Sequence, residues 1–153
     1  MKKYIVITGG AGFIGSNLIE LLIKKTNFKL ISIDNYSSGS KKNHIKSKHI
    51  KYINGNTSEI FFILRKFNKD IHTIFHFGEF SRIYQSFKHY KKCFDYNIRN
   101  SFEVIEFAKA NSIKIIYSAT STVLATVSSA AVAQSFWKQV VIVIVSPAAT
   151  KFT

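Results

Sequence analysis

The stretch Lys3-Tyr4-Ile5-Val6-Ile7-Thr8-Gly9-Gly10-Ala11-Gly12-Phe13-Ile14-Gly15 decides the fold. Residues 3–8 form an apolar run of strand length, and residues 13–25 repeat their apolar positions at helical spacing. The glycines between them describe a strand, a turn and a helix. Gly9 permits the tight turn, Gly12 lets backbone approach a pyrophosphate with no Cβ in the way, and Gly15 lets the helix lie close on its strand. The free N–H groups of the helix start, at the positive end of its dipole, make an anion site. A glycine triplet alone is weak, because glycine turns are common. The next apolar run, Lys29-Leu30-Ile31-Ser32-Ile33, supplies the context by ending in Asp34. That is about 20 residues beyond the glycines, where a carboxylate can take both hydroxyls of an adenosine ribose.

The chain has 153 residues, one domain's worth, and no internal repeat of solenoid period. Its net charge of +14 raises the question of a nucleic-acid partner. The lysines are scattered, however, and the densest run, residues 41–51, falls in a connection between strands without the interleaved aromatics of a single-strand binder. A solvated basic surface and no nucleic acid are expected. Cys93 is the only cysteine, so no internal disulfide can form; it reads as a buried small apolar residue in a reducing compartment. The apolar run before the glycine turn is too short for a secretory leader, and residues 140–145 fall far short of the ~20 residues of a membrane span. A cytoplasmic chain with no membrane segment is expected.

Beyond Asp34, the loop Asn35-Tyr36-Ser37-Ser38-Gly39-Ser40 lies at a strand's carboxyl end, where open α/β sheets bind ligands. Residues 50–53 make a third strand, and Asn54-Gly55-Asn56-Thr57 leads into a helix capped near Thr57 or Ser58, with Ile60, Phe61, Leu64 and Phe67 on its apolar face. Residues 71–77 are a fourth strand. A single long helix is expected over 87–110, its apolar face supplied by Phe94, Ile98, Phe102, Ile105 and Phe107. Residues 113–117 make a fifth strand. This alternation predicts an α/β, doubly wound parallel sheet of Rossmann type in the order 3-2-1-4-5. His76 has no partner at ligand spacing, so no metal is expected.

Taken together, Thr8 to Gly15 (TGGAGFIG), Asp34 to Gly39 (DNYSSG), Gly55-Asn56, His76-Phe77-Gly78, Asn97 and Ser118 to Thr122 (SATST) resemble the extended short-chain dehydrogenase/reductases. Within them, the likeness is to NAD-dependent UDP-glucose 4-epimerases and their nucleotide-sugar relatives, and it covers residues 1 to about 124. It implies NAD as cofactor and a nucleotide sugar as substrate. Gly9, Gly12, Phe13, Ile14 and Gly15 would cradle the pyrophosphate and Asp34 and Asn35 the adenine ribose, with Ser38 and Gly39 of the same loop also binding the cofactor. Asn56 and Thr57 would meet the adenine, with Asn56 where the family usually carries Asp. Phe77 and Gly78 would line the nicotinamide side, and Asn97 would lie near the cofactor. Glu79 stands where a small residue is usual. Thr120 matches the Ser/Thr that hydrogen-bonds the reacting sugar hydroxyl, and Ser121-Thr122 lacks the acidic pair of family dehydratases, which favours an epimerase. The implied reaction is oxidation of a sugar C4 hydroxyl, rotation of the keto-sugar and return of the hydride. A tyrosine, with a lysine four residues later, would act as base. The resemblance also implies a possible homodimer, built partly on the long helix.

The chain departs from this pattern after Tyr117, beyond which it has no tyrosine. In Ser146-Pro147-Ala148-Ala149-Thr150-Lys151 the lysine position is filled by Lys151, but Pro147 stands where the tyrosine base belongs, and proline has no ionisable hydroxyl. From Ser118 onward there is no Asp, Glu or Asn. Residues 1–124 are therefore expected to be the NAD-binding domain. Residues 125–153 are expected to be a compositionally foreign tail, from truncation or a shifted reading frame, with the substrate domain absent. The run 140–145 has two open readings, a sixth strand or an exposed segment.

Overall fold

The computed structural model describes residues 2–81, 83–120 and 140–145; for Ile83, Ala119, Thr120 and 140–145 it describes the backbone alone. Strand β1 (Tyr4–Thr8) is central, flanked by β2 (Lys29–Asp34) and then β3 (Ile50–Asn54) on one side. On the other side lie β4 (Ile71–His76) and β5 (Lys114–Thr120). These five are parallel and stand in the expected order 3-2-1-4-5. The sheet is not wholly parallel, because β6 (Val140–Val145) adds antiparallel to β5, pairing Ile115 with Val145 and Thr120 with Val140. Of the two readings of 140–145, the strand is the one observed. The rest of the tail lies outside the described residues.

Side chains alternate across β1 and so build two cores. Ile5 and Ile7 face helix α1 (Phe13–Lys25), where Ile19 is fully buried against them and Leu30. Val6 faces the other side, with Ile31, Ile33 and Ile74, under α2 (Ile60–Leu64) and the helix that precedes β5. Helices on both faces make the sheet doubly wound. No helix among the described residues is long and apolar enough to cross a membrane. Lys41, Lys42, Lys46, Lys48 and Lys51 are exposed.

Three local expectations need correction. The helix after β3 is capped by Asn56, not by Thr57 or Ser58. Asn56 Oδ1 accepts the Ser58 amide at 3.3 Å and Glu59 returns its carboxylate to the Asn56 amide, a reciprocal box that fixes the chain one residue earlier. The single helix over 87–110 is instead α3 (Ile83–Lys88), α4 (Tyr90–Phe94), a π turn (Asp95–Arg99) and α5 (Asn100–Ala110), with a break at His89. Its buried face is Asn100, Ser101, Val104, Phe107 and Ala108. Of the five residues assigned to that face only Phe107 is inside; Phe94 is 54% exposed, and Ile98 and Phe102 are each 58% exposed. The π turn inserts a residue and rotates the helix beyond it, and buried hydrogen bonds draw Asn100 and Ser101 inward. Cys93 is half-buried rather than buried, with Sγ 3.6 Å from Asn97 Nδ2.

Candidate functional site

A cleft of about 600 Å³ opens at the carboxyl end of the sheet, where β1 parts β2 from β4, within the size range of small-ligand sites. The β1–α1 loop forms its floor. Gly9 has φ +71°, and a Cβ there would lie 2.5 Å from the Phe77 carbonyl oxygen, so backbone geometry and the β4 loop both require glycine. Gly15 is required by packing, since a Cβ would come 2.3 Å from the Gly9 carbonyl. Gly12 differs. Its backbone is extended (φ −78°, ψ 174°), and a Cβ would meet only the Gly9 oxygen, at 3.2 Å. The room it leaves therefore belongs to the cleft rather than to the protein's own packing.

The first bond of α1 runs from the Ser16 amide to the Gly12 carbonyl at 3.0 Å, so the amides of Phe13, Ile14 and Gly15 precede any helical acceptor. No acidic side chain occupies the first turn, while Lys24 and Lys25 lie in the last. The helix start is an uncompensated positive end on the cleft floor.

Asp34, at the tip of β2, is 9% exposed and lines the cleft. Its Oδ2 accepts the Ala11 amide at 2.9 Å and its Oδ1 the Tyr36 amide at 2.8 Å. One carboxylate thus ties the glycine loop to the loop after β2 and keeps lone pairs for a ligand. The same joint is reinforced by the Ser40 amide and Asn43 Nδ2, both donating to the Ala11 carbonyl, at 3.1 and 2.8 Å. Asn35, Ser38 and Gly39 complete this wall, with Thr57 at the β3 side.

At the β4 side, Phe77 and Gly78 line the cleft, held by a buried polar relay. Thr8 Oγ1 accepts the amides of Phe77 and Gly78, at 3.2 and 3.1 Å, so its one proton goes to His76 Nδ1. The ring proton then sits on Nε2, which donates to Ser101 Oγ at 2.9 Å. His76 is fully buried, and burial lowers its pKa to about 4. Beside it, the Tyr117 hydroxyl donates to Glu79 Oε1. Burial raises the Glu79 pKa, against the lowering effect of that bond; burial and then the Glu79 carboxylate push Tyr117 above the ordinary tyrosine range.

The structure brings most of the expected residues to one cleft. Asn56 and Asn97 are not on its wall. Asn56 Oδ1 is shared by Ser58 and Asn100 Nδ2 (2.7 Å), and Asn97 clamps both backbone polar groups of Phe80. Thr120 ends β5, its backbone alone described, and Lys151 lies outside the described residues. Sequence reasoning missed Thr8, Asn43 and Ser101 as supports. The only signal for them was a polar residue closing an apolar strand or interrupting an apolar helix face.

A profile of the NAD dependent epimerase/dehydratase family matches residues 5–136. The chain is 29% identical over 122 residues to a UDP-glucose 4-epimerase of Streptococcus mutans, covering 76% of this chain and 35% of that protein. It is 33% identical over 126 residues to a dTDP-D-glucose 4,6-dehydratase of Dictyostelium discoideum, covering 78% and 29%. Among solved structures it resembles a UDP-N-acetylglucosamine 4-epimerase from Methanobrevibacter ruminantium in complex with UDP-N-acetylmuramic acid. There the TM-score is 0.72 at 30% identity, over 88% of this chain and 44% of that one. The chain spans about a third of the length of the curated relatives it matches. With the glycine floor, the Asp34 wall and the β4 relay in one cleft, this match means that the chain belongs to the NAD-dependent epimerase/dehydratase family.

Proposed function

We propose that this chain holds NAD in the cleft, as the cofactor-binding portion of a nucleotide-sugar epimerase of the UDP-glucose 4-epimerase type. The observation that carries the reading is the space left by Gly12 above three helix-start amides, with the Asp34 carboxylate at the next strand tip. The amides of Phe13, Ile14 and Gly15 hold the diphosphate; Asp34 and Asn35, with Ser38 and Gly39, hold the adenosine ribose side; Thr57, with Asn56 behind it, flanks the base. Phe77 and Gly78 bound the nicotinamide side, with Asn97 steadying the Phe80 segment next to it. When bound, NAD supplies hydride acceptance from a sugar carbinol and its return. The chain's own part is to orient and to exclude water.

A second reading is favoured by one observation, the absence of any tyrosine beyond Tyr117. With Thr120 and Lys151 but no tyrosine base, the chain would bind the cofactor without turning over a sugar. The exposed side chains of Phe94 on α4, Ile98 on the π turn and Phe102 on α5 support a homodimer through that segment.

Calorimetric titration tests the cofactor assignment. NAD is expected to bind more tightly than NADP, because Asp34 repels a 2′-phosphate, and Asp34→Ala is expected to erase the difference. Tighter NADP binding, or no uptake of either, would overturn it. A coupled assay with UDP-galactose separates the two readings: robust conversion by this chain excludes the non-catalytic one.

A further inference from the structure

Glu79 follows Gly78 beyond the tip of β4 and lies on the cleft wall, on the opposite side of β1 from Asp34. Tyr117, on the neighbouring strand β5, donates its hydroxyl to the carboxylate and fixes it in place. Glu79 is half-buried and forms no ion pair among the described residues; His89 and Lys92 share an adjoining recess of about 130 Å³ but lie beyond ion-pair distance. A partly desolvated carboxylate with no cation paired to it among the described residues, opening on a ligand cleft, favours positive charge in that cleft. A dinucleotide crossing the switch point puts its two halves on opposite sides of β1, so with the first ribose at Asp34 the second half comes to Glu79. The oxidised nicotinamide ring carries a positive charge that the reduced ring lacks.

We propose that Glu79 sets the oxidation-state preference of this site, its carboxylate favouring the cationic oxidised nicotinamide over the neutral reduced ring. The inference rests on the assignment of the cleft to NAD.

The test is the ratio of the NADH and NAD dissociation constants at pH 8, read from NADH fluorescence and its displacement by NAD. Glu79→Gln is expected to reduce the preference for NAD about tenfold, the scale of one unit charge removed from a low-dielectric site. Glu79→Ala should give the same change, guarding against a fault peculiar to one variant. Tyr117→Phe loses the hydrogen bond that holds the carboxylate in place and should shift the ratio in the same direction as Glu79→Gln, by less. An unchanged ratio in Glu79→Gln, or a stronger preference for NAD in Tyr117→Phe, would overturn the role of Glu79 while leaving the cofactor site standing. Failure of the parent chain to take up either dinucleotide would remove the site and this role together.

Discussion

Thr8 donates its hydroxyl proton to Nδ1 of His76 across 2.6 Å, from the end of β1 to the end of β4. The same oxygen accepts the amides of Phe77 and Gly78, so two strand ends and one wall of the cleft are held at a single atom. Thr8→Val keeps the shape and removes that atom. It leaves the Gly78 amide and a buried imidazole nitrogen without their partner, while the Phe77 amide keeps the Thr8 carbonyl at 3.1 Å, and is expected to lower stability by about 2–3 kcal/mol. Urea unfolding measures the loss, and Thr8→Ser should recover most of it. A Thr8→Val protein as stable as the parent would mean that the relay contributes nothing net.

The neutral state of His76 makes stability depend on pH with a definite sign. Its folded pKa, about 4, is below the ordinary value of 6.5, so between these values the unfolded chain binds the extra proton. The contribution is fully present above pH 6.5 and is lost as pH falls toward 4. The depression corresponds to about 3 kcal/mol across that window. Denaturant midpoints taken from pH 7.5 to 4.5 should show the decline, and His76→Asn should flatten it. An identical decline in the variant would assign the effect to other groups.

Gly12 and Gly15 separate ligand space from packing space. Gly12→Ala meets a single atom at 3.2 Å and is expected to change stability by less than about 1 kcal/mol while weakening NAD binding at least tenfold, because the methyl enters the cleft. Gly15→Ala drives a methyl against backbone at 2.3 Å and should cost about 2 kcal/mol or more of stability. Thermal unfolding paired with calorimetry reads both. Equal binding by Gly12→Ala and the parent would place the diphosphate elsewhere.

The orientation of α5 is tested by two phenylalanines. Phe107 is 1% exposed and takes the edge-on contact of Phe61 at 5.2 Å, whereas Phe102 is 58% exposed. Phe107→Ala is expected to cost about 3–5 kcal/mol and Phe102→Ala under about 0.5 kcal/mol. Comparable losses at both positions would return the helix to the face its apolar spacing first suggests.

Most of the fold was legible because its signals are local. Strand-length apolar runs, a glycine turn at a strand's end and an acidic residue one strand later each act within a few residues, and they sufficed for the order 3-2-1-4-5. What escaped depends on contacts far apart in sequence. The helix before β5 carries two apolar faces, and the choice between them is made by Asn100 reaching Asn56 and Ser101 reaching His76, 44 and 25 residues away. The cap at Asn56 was missed because Asn, Thr and Ser in succession can each cap, and only Glu59 at the matching distance selects the first. The cleft was largely readable for the same local reason, while Thr8, the atom that closes its β4 wall, looked like an ordinary end to a strand.

The pairing of β6 with β5 bears on how molecules of this chain meet one another. As the terminal strand of the sheet among the described residues, β6 directs one row of its amides and carbonyls at β5 and leaves the opposite row as the outer margin. Val140-Val141-Ile142-Val143-Ile144-Val145 contains neither a lysine nor a proline, the residues that ordinarily guard such a margin. Concentrated solutions should therefore self-associate by strand addition there, and Ile142→Lys, by inserting a guard charge, should raise the concentration at which light scattering first appears.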